Sequence, residues 1–236
     1  MKFNFELHKN DWENSYKRKE NFVFLASDQV VRFISRFIVK RVGINNYEKI
    51  YNFDQKLKVL DVCCGIGRNS LYGEQMGLEM YGFDLSLEAV RSAIKYLKIN
   101  NINTDLNQRF KAASVTEIPW EENFFDHAIC DSALDSMAFS IAKAGISELA
   151  RVIKKDGFFY CNLISGDIES DNNDSTREVI INNSFEKGTI QSYFNEKKIK
   201  NLLEPNFEII NYELHKIFDK ENRVKDARWH IITKRK

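Results

Sequence analysis

Short apolar and β-branched runs alternate with helical patterns through the middle of this chain. The runs predicted as strands lie at 58–62, 79–83, 109–113, 124–130 and 158–164, with helical patterns at 68–76, 86–98 and 141–153. Consecutive strands that are joined through helices run parallel, and the helices then cover both faces of the sheet. The predicted fold class is therefore α/β, with a Rossmann-like, doubly wound and mostly parallel sheet.

The segments on either side complete this prediction. Apolar residues at helical spacing predict a helix over 28–42 that ends at Gly43. With two edge strands near the end of the chain, the sheet has seven strands, of which the last is antiparallel. The remaining segments are interpreted as a polar loop over 165–175, a strand over 189–194, a helix from Asn195 to Leu203, and edge strands over 207–217 and 227–233.

Composition argues against several classes of protein. The chain has 236 residues, 43% of them hydrophobic, and its 35 basic and 34 acidic residues give a net charge of +1. A nucleic-acid-binding surface usually shows a basic excess, so no nucleic-acid partner is expected. The sequence has no apolar stretch of about 18 residues and no signal-peptide pattern, so we expect a cytoplasmic protein without a membrane partner. The histidines and cysteines lack metal-ligand spacing, so no metal is expected.

A glycine turn lies between the first of these strands and the helix that follows it. It runs from Asp61 to Ser70 in the order Asp-Val-Cys-Cys-Gly-Ile-Gly-Arg-Asn-Ser. Gly65 and Gly67 let the backbone approach a ligand closely, and the helix beyond supplies free N–H groups. The next strand ends in Asp84, whose carboxylate can accept both hydroxyls of a ribose. A glycine turn alone serves a dinucleotide equally well, but Ser70 stands where that motif has its third glycine.

The turn and its surroundings resemble the class I S-adenosylmethionine-dependent methyltransferases. Four residues match the Asp-x-Gly-x-Gly-x-Gly motif, with a cysteine in place of the first glycine: Asp61, Cys63, Gly65 and Gly67. The run 65–72 is similar to the small-molecule branch, which includes tellurite-resistance, thiopurine-type, sugar and small-amine methyltransferases. Segments 113–120, 124–132 and 148–158 match further motifs, and the resemblance spans roughly 55–235.

The resemblance implies S-adenosylmethionine as the cofactor and S-adenosylhomocysteine as its product. Asp84 matches the acid that binds the ribose, whereas Ser114 stands where the family usually has an aspartate that binds adenine. The adenine amino group would then be bound by the Ser114 hydroxyl or by the backbone at Val115. The implied cofactor-binding residues are Trp12, Tyr16, Asp61, Cys63, Gly65, Gly67, Arg68, Asp84, Leu85, Ser114, Val115 and Asp131.

The family's reaction is an in-line displacement, in which the acceptor attacks the methyl carbon and the sulfur leaves. A hydroxyl acceptor needs a base, and an amine must arrive neutral. The candidate catalytic residues are Asp131 and Asp135, beyond the fourth strand, together with Tyr16. Asp131 could instead contact the methionine end of the cofactor, and Asp135 could instead cap a helix.

The N-terminal segment, residues 1–50, resembles the helical lid of small-molecule methyltransferases, and 51–236 then form the methyltransferase domain. Trp12 and Tyr16 are four residues apart and share one face of a helix. Their rings can hold a sulfonium or an ammonium ion by cation–π attraction. The alternative is simple packing of a terminal helix on the domain. His8 lies in the same segment and could fold over the pocket.

The expected function is methyl transfer to an amine or hydroxyl of a small molecule, such as an activated sugar or a small phosphorylated amine. A phosphate could be bound by Arg18, Lys19 or Arg177. The run Asp-Ser-Ala-Leu at 131–134 replaces the Asn-Pro-Pro-Tyr tetrad that marks methylation of planar amide or base nitrogens. The alternatives are an RNA or protein methyltransferase, and a non-catalytic regulatory protein that binds S-adenosylmethionine. A homodimer is left open.

Overall fold

The structure is a computed structural model that describes residues 5–44, 46–50, 56–168, 174–182 and 186–236. Its helices are α1 (Phe5–Lys17), α2 (Asp28–Phe37), α3 (Arg68–Gln75), α4 (Leu87–Ile99), α5 (Leu106–Arg109), α6 (Phe139–Val152) and α7 (Glu196–Leu203). Its strands are β1 (Val39–Arg41), β2 (Tyr47–Lys49), β3 (Lys58–Val62), β4 (Glu79–Asp84), β5 (Phe110–Ala112), β6 (His127–Cys130), β7 (Phe158–Ile164), β8 (Glu178–Ile180), β9 (Ile190–Ser192), β10 (Phe207–Phe218) and β11 (Val224–Arg235).

Seven strands form the main sheet, in the order β10-β11-β7-β6-β3-β4-β5. The five strands from β7 to β5 are parallel to one another. Strand β11 is antiparallel to both β7 and β10, so the predicted fold class and edge pair are confirmed. The chain goes from β3 to β4 and β5 on one side, and then crosses to β6 on the other. Ligands bind in such sheets at the crevice beyond the carboxyl ends of the strands where this order reverses.

The sheet is buried because helices pack on both of its faces. Leu60 and Phe83 belong to an apolar cluster shared with α6 and α7, whereas Val59 and Met80 belong to one shared with α2, α3 and α4. Neighbouring residues of one strand thus enter opposite layers, as the two-residue period of a strand requires. Within the described ranges, no helix is long and apolar enough to cross a membrane.

Side-chain caps fix the ends of two helices as their sequences predict. The Ser86 hydroxyl accepts the Ala89 amide at 3.1 Å at the start of α4. At the start of α7, the Asn195 side chain accepts the Lys198 amide at 2.9 Å. Each bond satisfies one of the N–H groups that the first helical turn leaves without a partner.

The helix expected over 28–42 is shorter than predicted. Helix α2 ends at Phe37, and Val39–Arg41 instead forms β1, which pairs antiparallel with β2. A turn around Gly43 closes this hairpin, with the Val42 amide donating to the Asn46 carbonyl oxygen at 2.9 Å. The apolar spacing continues from helix to strand, so periodicity alone places the helix end too late.

Helix α2 is part of the core rather than a cover. Phe33 stacks on Tyr160 of β7 with ring centroids 5.5 Å apart, and Ile34 is fully buried. Of the predicted lid over residues 1–50, only α1 therefore remains as a candidate cover. The predicted boundary between residues 50 and 51 adjoins 51–55, which lie outside the described residues.

Two strands of the main sheet are shorter than predicted. Arg109 ends α5 rather than opening β5, because its buried guanidinium pairs with Glu74 of α3 at 2.6 Å. Strand β6 begins only at His127, and Phe125 before it makes an isolated bridge with Ile153. In both cases a residue that precedes the strand is buried without joining its hydrogen-bonded ladder.

A small hairpin that the sequence pattern does not predict lies between β7 and α7. Strand β9 uses three residues of the strand expected over 189–194, and it pairs antiparallel with β8. Strand β8 has only three residues, which is too short for alternation to be recognised. The loop predicted over 165–175 falls partly outside the described residues, at 169–173.

Candidate active site

A cavity of about 230 Å³ opens beyond the carboxyl ends of β3, β4 and β6. Part of its wall comes from the loops that follow these strands. The rest comes from α1 and the turn after it, from the start of α6, and from the β8–β9 hairpin. The described residues lining it are His8, Trp12, Tyr16, Asn21, Val23, Asp61, Cys63, Cys64, Gly65, Ile66, Arg68, Asn69, Asp84, Leu85, Ala113, Ser114, Val115, Asp131, Ser132, Ala133, Ser136, Met137, Ala138, Ile141, Glu186 and Ile190.

The glycine turn forms one wall of this cavity. Gly65 has a φ of +54°, which suits glycine, and a Cβ there would lie 2.7 Å from the Tyr16 hydroxyl oxygen. Gly67, with a φ of +79°, is not among the residues that line the cavity, and its role in cofactor binding stays a prediction. A Cβ on Gly67 would lie 3.1 Å from the Cβ of Ala93, so a side chain at this position would crowd α4.

Cys63 stands where the resembling family has its first glycine. Its backbone adopts a φ of +53°, in the left-handed region that glycine occupies most easily. The side chain is half-buried and lines the cavity, and burial raises the pKa of its thiol well above the ordinary value. Cys63 is therefore a neutral, small wall residue rather than a nucleophile.

Asp84 places a buried carboxylate at the end of β4. One oxygen accepts the Gly65 amide and the other accepts the Ser86 amide, each at 2.9 Å. Burial raises its pKa to about 6, although these amide bonds oppose the shift. Each carboxylate oxygen retains acceptor capacity, and the group lines the cavity. It can therefore accept two neighbouring hydroxyl donors, as a ribose presents.

Asp61 lies in β3, and Asp131 directly follows the neighbouring parallel strand β6; both also line the cavity. The Ser70 hydroxyl donates to Asp61 at 2.6 Å, yet burial raises the pKa of Asp61 to about 7. Arg68 donates to one oxygen of Asp131 at 2.6 Å and Asn162 donates to the other at 2.7 Å. These bonds fix the position of the Asp131 carboxylate beside a guanidinium.

Asp135 does not reach the cavity, contrary to its prediction as a catalytic residue. It is fully buried, and one carboxylate oxygen accepts both the Arg228 guanidinium at 2.9 Å and the Ile164 amide at 2.8 Å. It does not cap a helix either, because α6 begins three residues beyond Ser136. Asp135 instead ties the loop after β6 to the neighbouring strands β7 and β11.

The segment predicted to flank adenine forms another wall. Leu85, Ser114 and Val115 line the cavity together. The Ser114 hydroxyl bonds the Thr116 hydroxyl at 2.8 Å and accepts the Thr116 amide at 3.2 Å. The side chain is thus held in a local turn, which leaves the neighbouring backbone as the alternative partner for a ligand.

Helix α1 lies over the cavity and is docked by its acidic side chain. The Glu13 carboxylate accepts the Ser86 hydroxyl at 2.7 Å and the Glu88 amide at 3.1 Å, at the N-terminus of α4. Trp12 and Tyr16 then face the cavity. Burial raises the pKa of Tyr16 well above its ordinary value, so its hydroxyl stays protonated at neutral pH.

The basic residues proposed for a phosphate lie elsewhere. Arg18 pairs with Glu20 at 2.7 Å, and the Arg177 guanidinium lies over the Tyr193 ring at 3.8 Å. Neither these nor Lys19 is among the described cavity residues, where Arg68 alone carries a permanent positive charge. A phosphorylated acceptor therefore has little support. The described residues also hold no group of three or more His, Cys, Asp or Glu that could bind a metal.

Several cavity residues carry no motif and were not predicted. They are Asn21, Val23, Met137, Ile141, Glu186 and Ile190, with His8 beside them as a suggested cover residue. They belong to turns, to the start of α6 and to the β8–β9 hairpin, and tertiary packing brings them together. No spacing in the sequence could have indicated them.

Comparison with known proteins agrees with this geometry. Residues 59–157 match the family model described as a methyltransferase domain. The uncharacterised methyltransferase YcgJ of Bacillus subtilis is 29% identical over 102 residues, which are 43% of this chain and 38% of that protein. The matches span less than half the length of each curated relative, from 38% to 44%.

Solved structures share the fold at low sequence identity. A methyltransferase of Methanosarcina mazei has a TM-score of 0.60 and 20% identity, over 78% of this chain and 94% of that one. TehB of Haemophilus influenzae gives 0.58 and 16%, over 95% and 67%. The Burkholderia thailandensis 1,6-didemethyltoxoflavin N1-methyltransferase, solved with S-adenosylhomocysteine, gives 0.65 and 16%, over 98% and 88%.

The strand order is the Rossmann-like fold that these solved methyltransferases share. Residues 59–157 match a methyltransferase domain, and the Burkholderia neighbour was solved with S-adenosylhomocysteine, the product form of the cofactor S-adenosylmethionine. The site fits that cofactor because Gly65 leaves backbone uncovered and Asp84 offers a carboxylate to hydroxyl donors.

Proposed function

We propose that this protein transfers the methyl group of S-adenosylmethionine to an amine or hydroxyl of a small molecule. The observation that carries the proposal is one cavity whose walls come partly from the matched domain and partly from segments outside it. The walls from 61–69, 84–85 and 113–115 belong to the matched domain. The walls from α1 and from the β8–β9 hairpin lie outside it, and they provide room for an acceptor beside the cofactor.

The cofactor-binding roles follow from the chemistry of each wall. Asp84 accepts the ribose hydroxyls, while Leu85 and the segment at Ser114 and Val115 contact the adenine. The guanidinium of Arg68 and the carboxylate of Asp131 lie 2.6 Å apart, measured from Nη2 to Oδ2. Their opposite charges complement the carboxylate and the ammonium group of an amino acid. When bound, S-adenosylmethionine supplies a methyl group on a positively charged sulfur, which leaves as a neutral thioether.

The remaining residues exclude water and position the acceptor. Trp12 and Tyr16 cover the cavity, and their rings suit a cationic group. Because the Tyr16 hydroxyl stays protonated, it can donate a hydrogen bond to the acceptor but cannot serve as its base. The chain's main contribution is then alignment of the acceptor in a site closed to water.

The position of helix α1 favours a small acceptor over RNA or protein. Helix α1 is anchored on α4 through Glu13 and lines the cavity, whose volume is about 230 Å³. A net charge of +1 gives no general attraction for nucleic acid. The proposed organisation is thus a methyltransferase domain that includes α2 and is covered by α1. The cysteines are free thiols, which is consistent with the proposed cytoplasmic location.

The test is to incubate the purified protein with S-adenosylmethionine and a panel of small amines, sugars and alcohols, and to measure S-adenosylhomocysteine. Acceptor-dependent product, reduced in Asp84→Asn, is the expected result. Binding of S-adenosylmethionine without turnover of any acceptor, small or macromolecular, would instead favour a non-catalytic binding protein. Turnover of only RNA or protein would replace the small-molecule assignment.

A further inference from the structure

We propose that Glu186 binds the methyl acceptor, and that this acceptor is an amine that enters the site as a cation. The inference rests on the proposed function and makes it more specific. Glu186 lines the cavity from the loop between β8 and β9, beyond the domain matched at 59–157. It therefore belongs to the walls that face an acceptor rather than to those that bind the cofactor.

The backbone holds Glu186 in a defined position. Its φ is +56°, its amide donates to Glu20 at 3.4 Å, and its carbonyl accepts the Thr189 hydroxyl at 2.8 Å. The side chain is half-buried, and burial raises the pKa of its carboxyl, although a hydrogen bond from Asn21 opposes the shift. An L-residue in this conformation is uncommon, so the loop presents this carboxylate at a local cost.

Among the described residues, the titratable and charged groups that face Glu186 are Asp135, Glu20, Arg228 and the neutral hydroxyl of Tyr16. Asp135 and Glu20 repel Glu186, whereas Arg228 attracts it from β11. Arg228, however, already pairs with Asp135 at 2.9 Å, and Glu20 pairs with Arg18 at 2.7 Å. Within the described part of the chain, no ion pair within 4.0 Å joins Glu186 to a cation.

The other cavity carboxylates already accept hydrogen bonds from within the chain. Asp84 accepts two amides, Asp61 accepts a serine hydroxyl, and Asp131 pairs with Arg68. A half-buried carboxylate without a cationic partner favours a ligand that brings the positive charge. An ammonium ion does so, and Trp12 in the same cavity can add cation–π attraction. The Glu186 carboxylate would repel an anionic acceptor, and it would bind a neutral alcohol more weakly than an ammonium ion.

The same carboxylate can prepare the nitrogen for attack. An acceptor R–NH3⁺ passes one proton to a Glu186 oxygen, which becomes a carboxylic acid, and the N–H electron pair stays on nitrogen. The neutral R–NH2 then has the lone pair that would form the new bond to the methyl carbon as the carbon–sulfur bond breaks, so the product would leave as R–NH2⁺–CH3. The carboxylic acid returns its proton to water after the product leaves. Because the charged form binds the cation, affinity for the amine falls as the pH drops through the raised pKa of Glu186.

The experiment compares matched amines and alcohols as probes. Calorimetry on the protein saturated with S-adenosylhomocysteine measures the binding of 2-phenylethylamine against 2-phenylethanol, and of cyclohexylamine against cyclohexanol, near neutral pH. We expect at least one amine to bind about tenfold or more tightly than its alcohol, the size of a charge-assisted interaction. In Glu186→Gln, which keeps the side-chain shape, that preference is expected to disappear while the affinity for S-adenosylhomocysteine stays within about twofold.

The control is Glu208→Gln, the same exchange at an exposed residue of β10 outside the cavity, which is expected to keep the preference. The inference is overturned if amines and alcohols bind equally, if no amine binds, or if Glu186→Gln retains the preference. It is also overturned if Glu186→Gln mainly weakens S-adenosylhomocysteine, since Glu186 would then hold the cofactor. Failure of the wild type to bind S-adenosylhomocysteine at all would instead remove the proposed function.

Discussion

Asp84 is the residue on which the cofactor assignment depends most. Replacing it with Asn keeps its shape but removes the charge and one acceptor oxygen. We expect Asp84→Asn to weaken S-adenosylhomocysteine binding by roughly tenfold to a hundredfold, as for a hydrogen bond to a charged group. Calorimetric titration measures the change, with Glu88→Gln, outside the cavity, as the control. An unchanged affinity would rule out Asp84 as the ribose ligand.

The raised pKa of Asp84 also predicts how binding depends on pH. Burial raises this pKa to about 6 in the free protein, and the ribose hydroxyls need the ionised form. Below pH 6 the carboxyl must lose a proton before it can accept them, so affinity is expected to fall by about tenfold per pH unit. Titrations between neutral pH and pH 5 measure this slope. The same slope in Asp84→Asn would assign it to another group.

Substitution of two glycines with nearly the same backbone conformation distinguishes the effect of backbone strain on stability from the effect of packing. Gly67 and Gly77 have φ angles of +79° and +81°, but a Cβ meets a neighbour only at Gly67, where it would lie 3.1 Å from the Cβ of Ala93. Gly77→Ala should lower the free energy of unfolding by about 1–2 kcal/mol, from backbone strain alone. Gly67→Ala should lower it by about 1 kcal/mol more, because the added Cβ contacts α4. Urea denaturation of both variants measures the difference. Equal losses of unfolding free energy in the two variants would show that α4 moves to accommodate the Cβ at position 67.

At the scale of elements, α1 contacts the rest of the chain through the apolar packing of Trp12 and Tyr16 and through the hydrogen bonds of Glu13. Burial opposes ionisation of Glu13, yet the bonds from Ser86 and the Glu88 amide lower its pKa overall. The charged form therefore anchors α1 at neutral pH, and the anchor is lost in acid as Glu13 is protonated.

Glu13→Gln weakens this anchor without changing the shape of the side chain. We expect amide hydrogen exchange in α1 to become about twofold to fivefold faster, with little change in the unfolding midpoint of the domain. Lys9→Gln, on the exposed face of α1, is the matched control. Unchanged exchange in Glu13→Gln would mean that apolar packing alone holds the helix.

The sequence predicts elements best where each one is long and capped. Strands β3, β4 and β7 have strong apolar runs, and Ser86 and Asn195 mark helix starts by local chemistry. The hairpins β1–β2 and β8–β9 are built from three-residue strands, whose pairing depends on long-range packing and leaves no period to recognise.

For the whole molecule, the part of the cavity at the strand ends could be predicted, and the wall opposite it could be predicted only in part. Asp61 and Asp84 follow strand patterns that are visible in the sequence itself, and Trp12 and Tyr16 were predicted from their helical spacing. Glu186 lies about 170 residues beyond α1, and only the folded chain brings the two together. Asp135 shows the converse, since a carboxylate at the right place in the sequence is turned into the core by Arg228.

The most direct test of the central claim is calorimetric titration of the purified chain with S-adenosylmethionine and S-adenosylhomocysteine, with NAD as the control. We expect micromolar binding of both sulfur nucleosides and no binding of NAD, since the third glycine of the dinucleotide motif is replaced by Ser70. Absence of binding to both, or preference for NAD, would contradict the assignment of this cavity as a methyltransferase site.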